Sequence, residues 1–108
     1  MSRVSSGIEA RESDEVFRLI LFVCNDEPNS STARENLEQI CATYIPGRNE
    51  IEIVDVLQDY RAALAHSILV TPCLLKVAPA PRALVAGTLH DGETVRTALQ
   101  LPRAKADA

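Results

Sequence analysis

No stretch of the 108-residue chain approaches the ~18 consecutive apolar residues that a membrane-crossing helix needs. Residues 1–15 are polar and hold no apolar signal-peptide segment, so a cytoplasmic location is expected. Cysteine is scarce: Cys24, Cys41 and Cys73 make an odd count of 3, which speaks against a disulfide framework. No two of them share CxxC spacing, which excludes a zinc ribbon or knuckle built by this chain alone. Basic residues are in the minority. Lys+Arg total 11 against 15 Asp+Glu, for a formal net charge of -4 and a pI near 5.1, so nucleic-acid binding through a broad basic surface is not expected. Gly47, Gly87 and Gly92 stand apart and no Gly-Lys-Ser/Thr run exists, so there is no phosphate-cradling loop. His66 and His90 are the only imidazoles, and neither has a Cys, His or carboxylate at a recognised ligand spacing. No metal or other cofactor is therefore expected, and His90 beside Asp91 reads as a turn ahead of a helix. Ser30 and Thr71 lack a base at any informative spacing.

What is present is enough for one domain. Hydrophobic residues make up 46% and charged residues 24%, which fits a globular body with a real core. Residues 1–15 and 102–108 are short of apolar periodicity and read as mobile arms, leaving residues 16–101 as the folded domain. Residues 17–24 are apolar on both alternating faces, the pattern of a central strand covered on both sides. Residues 25–30 are rich in turn formers. Thr32, Ala33, Arg34 and Glu35 match a capping box, with Ser30 and Ser31 as rival caps. A helix is predicted from there to Tyr44, with Ala33, Leu37, Ile40, Cys41 and Tyr44 on one stripe, and Pro46-Gly47 ending it. Residues 51–56 form a second strand. A strand, a crossover helix and a strand predict parallel pairing with a right-handed crossover. Asp55 ends that strand, either as a functional group at the edge of a parallel sheet or as a cap on the next turn.

Residues 60–68 read as a short helix, with Tyr60, Leu64 and Ile68 spaced by four. Asp91 or Thr94 caps a last helix in which Val95, Ala98 and Leu99 face inward. Residues 70–87 carry two readings. In one, residues 73–77 are a buried strand after a Thr71-Pro72 turn, giving a βαβαββα order. In the other, Thr71 is an N-cap and Pro72 the first helical residue.

The apolar first strand, the loop Pro28, Asn29 and Ser30, the strand end Ile53 to Leu57, the pair Thr71-Pro72, then Leu75, Lys76 and Val77, Pro79, Pro81 and Gly87 follow one another in an order that resembles the KaiB family. That family comprises small clock proteins that bind the KaiC ATPase in bacteria. The resemblance spans residues 17–101. It implies an α/β, thioredoxin-like fold in which Pro72 is a cis-proline. It also implies an alternative ground-state packing with a rearranged C-terminal half, two packings that need lie only a few kcal/mol apart. The function implied is a non-enzymatic regulator of a KaiC-type ATPase in circadian or stress-related timing.

Several positions depart from the family pattern. Ala98 and Gln100 stand where a Gly and an acidic residue are frequent, and Ala favours helix over Gly by about 1 kcal/mol. The thioredoxin-like packing is therefore expected to be favoured in this chain. Glu50 and Glu52 lie on the strand that receives KaiA in clock members, and their charge argues against KaiA as a partner. Ser67 replaces a frequent lysine, and the acidic C-terminal tail is absent. The family's dimers and tetramers make self-association an expectation too, with exposed edge strands as the route.

For docking, the resemblance points to Pro28, Asn29, Ser30, Ala33, Arg34, His66 and Ser67. The plainer reading of Pro28, Asn29 and Ser30 is helix-start chemistry. A redox function is the alternative. Cys24 follows the first strand, where a thioredoxin-like fold holds its reactive thiol, but Glu27 occupies the place of a resolving cysteine, and nearby carboxylates disfavour a thiolate. A Cys24–Cys73 bridge needs an oxidising setting. Cys41 reads as core.

Overall fold

The computed structural model describes residues 15–25 and 27–103; of the arms expected at 1–15 and 102–108, residues 1–14 and 104–108 lie outside them. Seven elements run in the order β1 (Phe17–Val23), α1 (Pro28–Tyr44), β2 (Asn49–Asp55), α2 (Tyr60–Ala65), β3 (Cys73–Ala78), β4 (Ala83–Ala86) and α3 (Gly92–Leu99). The four strands form one sheet in the order β2-β1-β3-β4. β1 pairs in parallel with β2 and antiparallel with β3, and β3 pairs antiparallel with β4. Of the two readings of residues 70–87, the strand reading is therefore the one the chain adopts, in a thioredoxin-like α/β order.

β1 sits inside the sheet, as its two apolar faces require. Phe17, Leu19, Leu21 and Val23 point to the side covered by α1 and α3, where they join Ala33, Leu37, Ile40, Cys41, Leu74, Val95 and Leu99. Phe22 points to the other side and packs with Val54, Leu75 and Ala63 of α2. Cys41 lies within the first of these layers, and burial pushes its thiol up to about 11.

Four sequence expectations need correction. The first helix starts at Pro28, not after a Thr32 cap. Glu27 takes the N-cap position with φ −52° and ψ 140° and no side-chain cap bond, and Pro28 starts the helix because its fixed φ suits the first turn and its missing N–H costs nothing there. α2 is short, and Tyr60 and Leu64 are exposed; Ala63 is its buried residue, with Ala62 and Ile68 packed beside it. Small alanines let the backbone approach the sheet, so the bulky residues turn outward. Ala98 is exposed, because Val95 and Leu99 already fill the inward face of α3. β2 begins at Asn49, where the Asn49 side chain donates to the Ile45 carbonyl at 2.8 Å. Of the two caps offered for α3, Asp91 is the one used, its carboxylate accepting from the Thr94 amide at 3.2 Å.

Lys76 was not foreseen as core. It lies at 1% exposure on inner strand β3, on the α1/α3 side, paired with Leu19 and Ala83. Its Nζ donates to the Leu99 carbonyl at 2.6 Å. Burial lowers the affinity of this ammonium for its proton, and the Glu15 carboxylate partly opposes that. The folded chain thus binds fewer protons than the unfolded chain as pH climbs towards the ordinary lysine value of 10.5, and stability rises through that window. Urea titrations from pH 7.5 to 10 should show the midpoint of the wild type rising relative to Lys76→Met, a comparison in which the other titrating groups cancel. A pH-independent difference between the two proteins would contradict this account.

Candidate functional site

Parallel pairing places the carboxyl ends of β1 and β2 on one edge of the sheet. Antiparallel β3 starts on the same edge, since Cys73 stands opposite Phe22. Three connections therefore meet there: the turn after β1, residues 56–59 after β2, and residues 66–72 ahead of β3. Polar atoms tie them together. The Asp55 carboxylate accepts from the Leu57 amide at 2.9 Å and from the Asn25 amide at 3.2 Å, so it caps its own turn and also holds the neighbouring loop. The Val56 amide donates to the Val23 carbonyl at 2.9 Å, and the Gly87 amide to the Pro72 carbonyl at 2.9 Å. The Ser30 hydroxyl reaches back from the first turn of α1 and accepts from the Cys24 amide at 3.1 Å.

At the end of α2, the His66 ring tilts against Phe22 with centroids 5.9 Å apart. The Arg82 guanidinium approaches both the His66 Nδ1 and the His66 carbonyl at 3.4 Å, joining the start of the β4 arm to this edge. Ser67 follows with φ 59°, a left-handed turn that closes α2. The Thr71-Pro72 peptide is cis.

Beyond this frame lies a surface dominated by apolar side chains. Leu69 is 92% exposed, Leu64 70%, Leu57 64%, Tyr60 60% and Val70 57%. Scattered exposed leucines are normal on a protein surface, but five large apolar side chains exposed within residues 57–70 are a local concentration of apolar surface. Pro28, Asn29 and Arg34 of α1 are exposed, as is Ser67, with His66 half-buried. Two of the residues expected on the docking surface are not on it. Ser30 is 1% exposed and Ala33 fully buried, because both fall on the inward stripe of α1 once the helix starts at Pro28. Their place is structural: Ser30 pins the β1–α1 turn and Ala33 joins the core. Of the remaining expected positions, Thr71 is half-buried, Pro72 buried, and Gln100 exposed as the left-handed C-cap of α3 at φ 58°.

The redox alternative meets an unsuitable set of thiols. Cys24, Cys41 and Cys73 are free, Cys24 is half-buried, and burial raises the Cys73 thiol away from the thiolate form. Exposed Glu27, not a cysteine, follows Cys24 at the third position. Among the described residues, no group of three or more His, Cys, Asp or Glu side chains is placed to hold a metal ion, and no helix is long and apolar enough to cross a membrane.

The KaiB domain family profile matches residues 20–101, from the middle of β1 to the residue after the α3 cap. The chain belongs to the KaiB family. It is 37% identical over 87 residues to the circadian clock oscillator protein KaiB of a Picosynechococcus, covering 81% of this chain and 84% of that protein. It is 36% identical over 87 residues to the KaiB of Acaryochloris marina, with coverage of 81% and 84%. In three dimensions it resembles the N-terminal domain of Synechococcus elongatus SasA, with a TM-score of 0.65 at 21% identity, covering 80% of this chain and 85% of that one. Mitochondrial thioredoxin 3 of Saccharomyces cerevisiae superposes with a TM-score of 0.64 at 8% identity, over 89% and 88% of the two chains. These structural likenesses establish the thioredoxin-like fold of this KaiB-family chain.

Replacing Ser30 by Ala should leave the Cys24 amide without its hydroxyl acceptor in a half-buried turn. The expected loss is ~1 kcal/mol, read as a fall of ~4–8 °C in the thermal midpoint. An unchanged midpoint would show that water replaces the hydroxyl at no cost.

Proposed function

We propose that the chain is a KaiB-type regulator that docks onto a KaiC-type ATPase and modulates its phosphorylation and ATPase cycle, in circadian or stress-related timing, with no catalytic group of its own. The observation that carries this reading is the apolar face of residues 57–70 beside exposed Pro28 and Asn29. Family membership suggests the partner class, and the exposure of Pro28, Asn29, Arg34 and Ser67, positions the resemblance implies for docking, supports the reading. Leu57, Tyr60, Leu64, Leu69 and Val70 provide area to desolvate, while Pro28, Asn29, Arg34, His66 and Ser67 provide a polar rim of the kind that fixes orientation. Regulation works through differential affinity: the partner state that accepts this face better is the one whose population grows.

KaiA is not part of this proposal. β2 is an edge strand, and its exposed Glu50 and Glu52 lie on one face of it, with Arg18 3.6 Å from Glu50. Self-association through an edge strand remains compatible with the docking face, which lies on the connections rather than on a strand edge.

Size-exclusion co-elution with a KaiC-type ATPase in the presence of nucleotide, followed by titration, tests the docking. Leu69→Asp should weaken the complex by ~10–100-fold, the range of a central apolar contact, while the thermal midpoint of the free chain stays within ~1 °C, as expected for a side chain that packs on nothing. Retained affinity in Leu69→Asp and Val70→Asp together would remove this face from consideration. Cys24→Ser distinguishes the redox alternative. Complex formation should persist in that variant, and the wild type should fail to reduce insulin disulfides with dithiothreitol; catalysed reduction that vanishes in Cys24→Ser would reverse the assignment.

A further inference from the structure

Lys76 has no part in the docking face, and simple packing does not explain it. The interior around it is apolar: Leu19, Leu74, Val95, Leu99 and Leu101 belong to the same layer. A methionine there would fill similar volume without the cost of burying a charge. What lysine adds is a donor at one place, the end of α3. The carbonyls of that end have separate partners. Those of Arg96 and Thr97 accept from the Leu101 and Gln100 amides at 2.9 and 3.2 Å. The Leu101 carbonyl accepts from the Arg96 guanidinium at 3.3 Å. The Leu99 carbonyl takes Lys76 Nζ at 2.6 Å. Last-turn carbonyls have no partner within their own helix, and the negative end of the helix dipole favours a cation.

We propose that Lys76 is a buried latch for the C-terminal helix: rising from inner strand β3, its ammonium captures the terminal carbonyl of α3 and fixes where that helix seats on the sheet. Most of the rest of the seat is non-directional. Val95, Leu99 and Leu101 contribute burial, which tolerates a rotated or shifted helix, and the Tyr44 hydroxyl meets Glu93 at an exposed 3.3 Å. A hydrogen bond between a buried cation and one named carbonyl admits a single seat. The latch thus exchanges some global stability for a defined helix position.

Two opposed effects distinguish this role from filling space. In Lys76→Met, the urea midpoint at pH 7 should stay level or rise, while amide exchange in residues 95–101 speeds up by at least ~10-fold relative to β1 amides, the loss of one charged hydrogen bond. Exchange at α3 that stays level with β1 would overturn the latch. A lower midpoint with uniformly faster exchange would also overturn it, because lysine would then be acting as general core. The wild type supplies a second readout should the variant not fold. Its lysine side-chain ¹H–¹⁵N spectrum should hold one slowly exchanging ammonium with a nuclear Overhauser contact to Leu99, absent if Lys76 is hydrated.

Discussion

The whole arrangement depends on β1 being apolar on both sides. A strand with Leu19, Leu21 and Val23 on one face and Phe22 on the other is stable only between two covering layers and between two strands. That requirement places α1 on one side and α2 on the other, brings β2 alongside in parallel and β3 alongside antiparallel. It also decides where the connections emerge. With β1 and β2 parallel, the first two loops must leave from the same edge, and β3 enters from it. The surface assigned to docking is thus a consequence of strand direction, before any of its residues is considered.

Much of this was legible in the sequence because it rests on period and order. The α1 stripe of Ala33, Leu37, Ile40, Cys41 and Tyr44 follows a helical repeat and is buried as predicted, with Tyr44 at its margin. The parallel βαβ unit follows from a strand, a helix and a strand in succession. What failed to read out was decided by contacts distant in sequence. Thr32 satisfies a capping pattern, yet Pro28 is equally suited to begin a helix, and the back-reaching Ser30 hydroxyl joins the earlier start to β1. Tyr60, Leu64 and Ile68 keep helical spacing, but nothing local says that Ala62 and Ala63, not the larger residues, meet the sheet. Lys76 gives no sign of burial, because its partner carbonyl lies 23 residues away.

The candidate site was half legible for a related reason. Of the positions the family resemblance implies, Pro28, Asn29, Arg34 and Ser67 are exposed and His66 is half-buried, while Ser30 and Ala33 point inward because a helix presents only part of its circumference. Of the exposed apolar residues, Tyr60 and Leu64 keep helical spacing and so read as a buried stripe rather than a surface one, while Leu57, Leu69 and Val70 lie in connections whose exposure no local pattern marks. Length holds the signal that distinguishes the two. A six-residue helix has fewer than two turns, too short for a buried stripe of the kind that α1 carries.

That leaves the question of why a small domain keeps such side chains in water. Burying one large aliphatic or aromatic side chain is worth about 1.5–3 kcal/mol, and Leu69 obtains almost none of it. Neighbouring structure does not force the exposure, for residues 68–70 lie outside helix and strand and only Ile68 folds back, its amide held by the Ala63 carbonyl at 2.8 Å. Ser67, in a left-handed turn, ends α2 and brings Ile68 back onto the sheet, after which Leu69 and Val70 lie in solvent. A backbone turn at that point, fixed on one side by the His66 cap and on the other by buried Pro72, keeps the apolar residues presented instead of letting them collapse. Presentation without collapse lowers the ordering cost that a partner would otherwise meet on binding. The free energy unused in the isolated chain is then available to the interface proposed above.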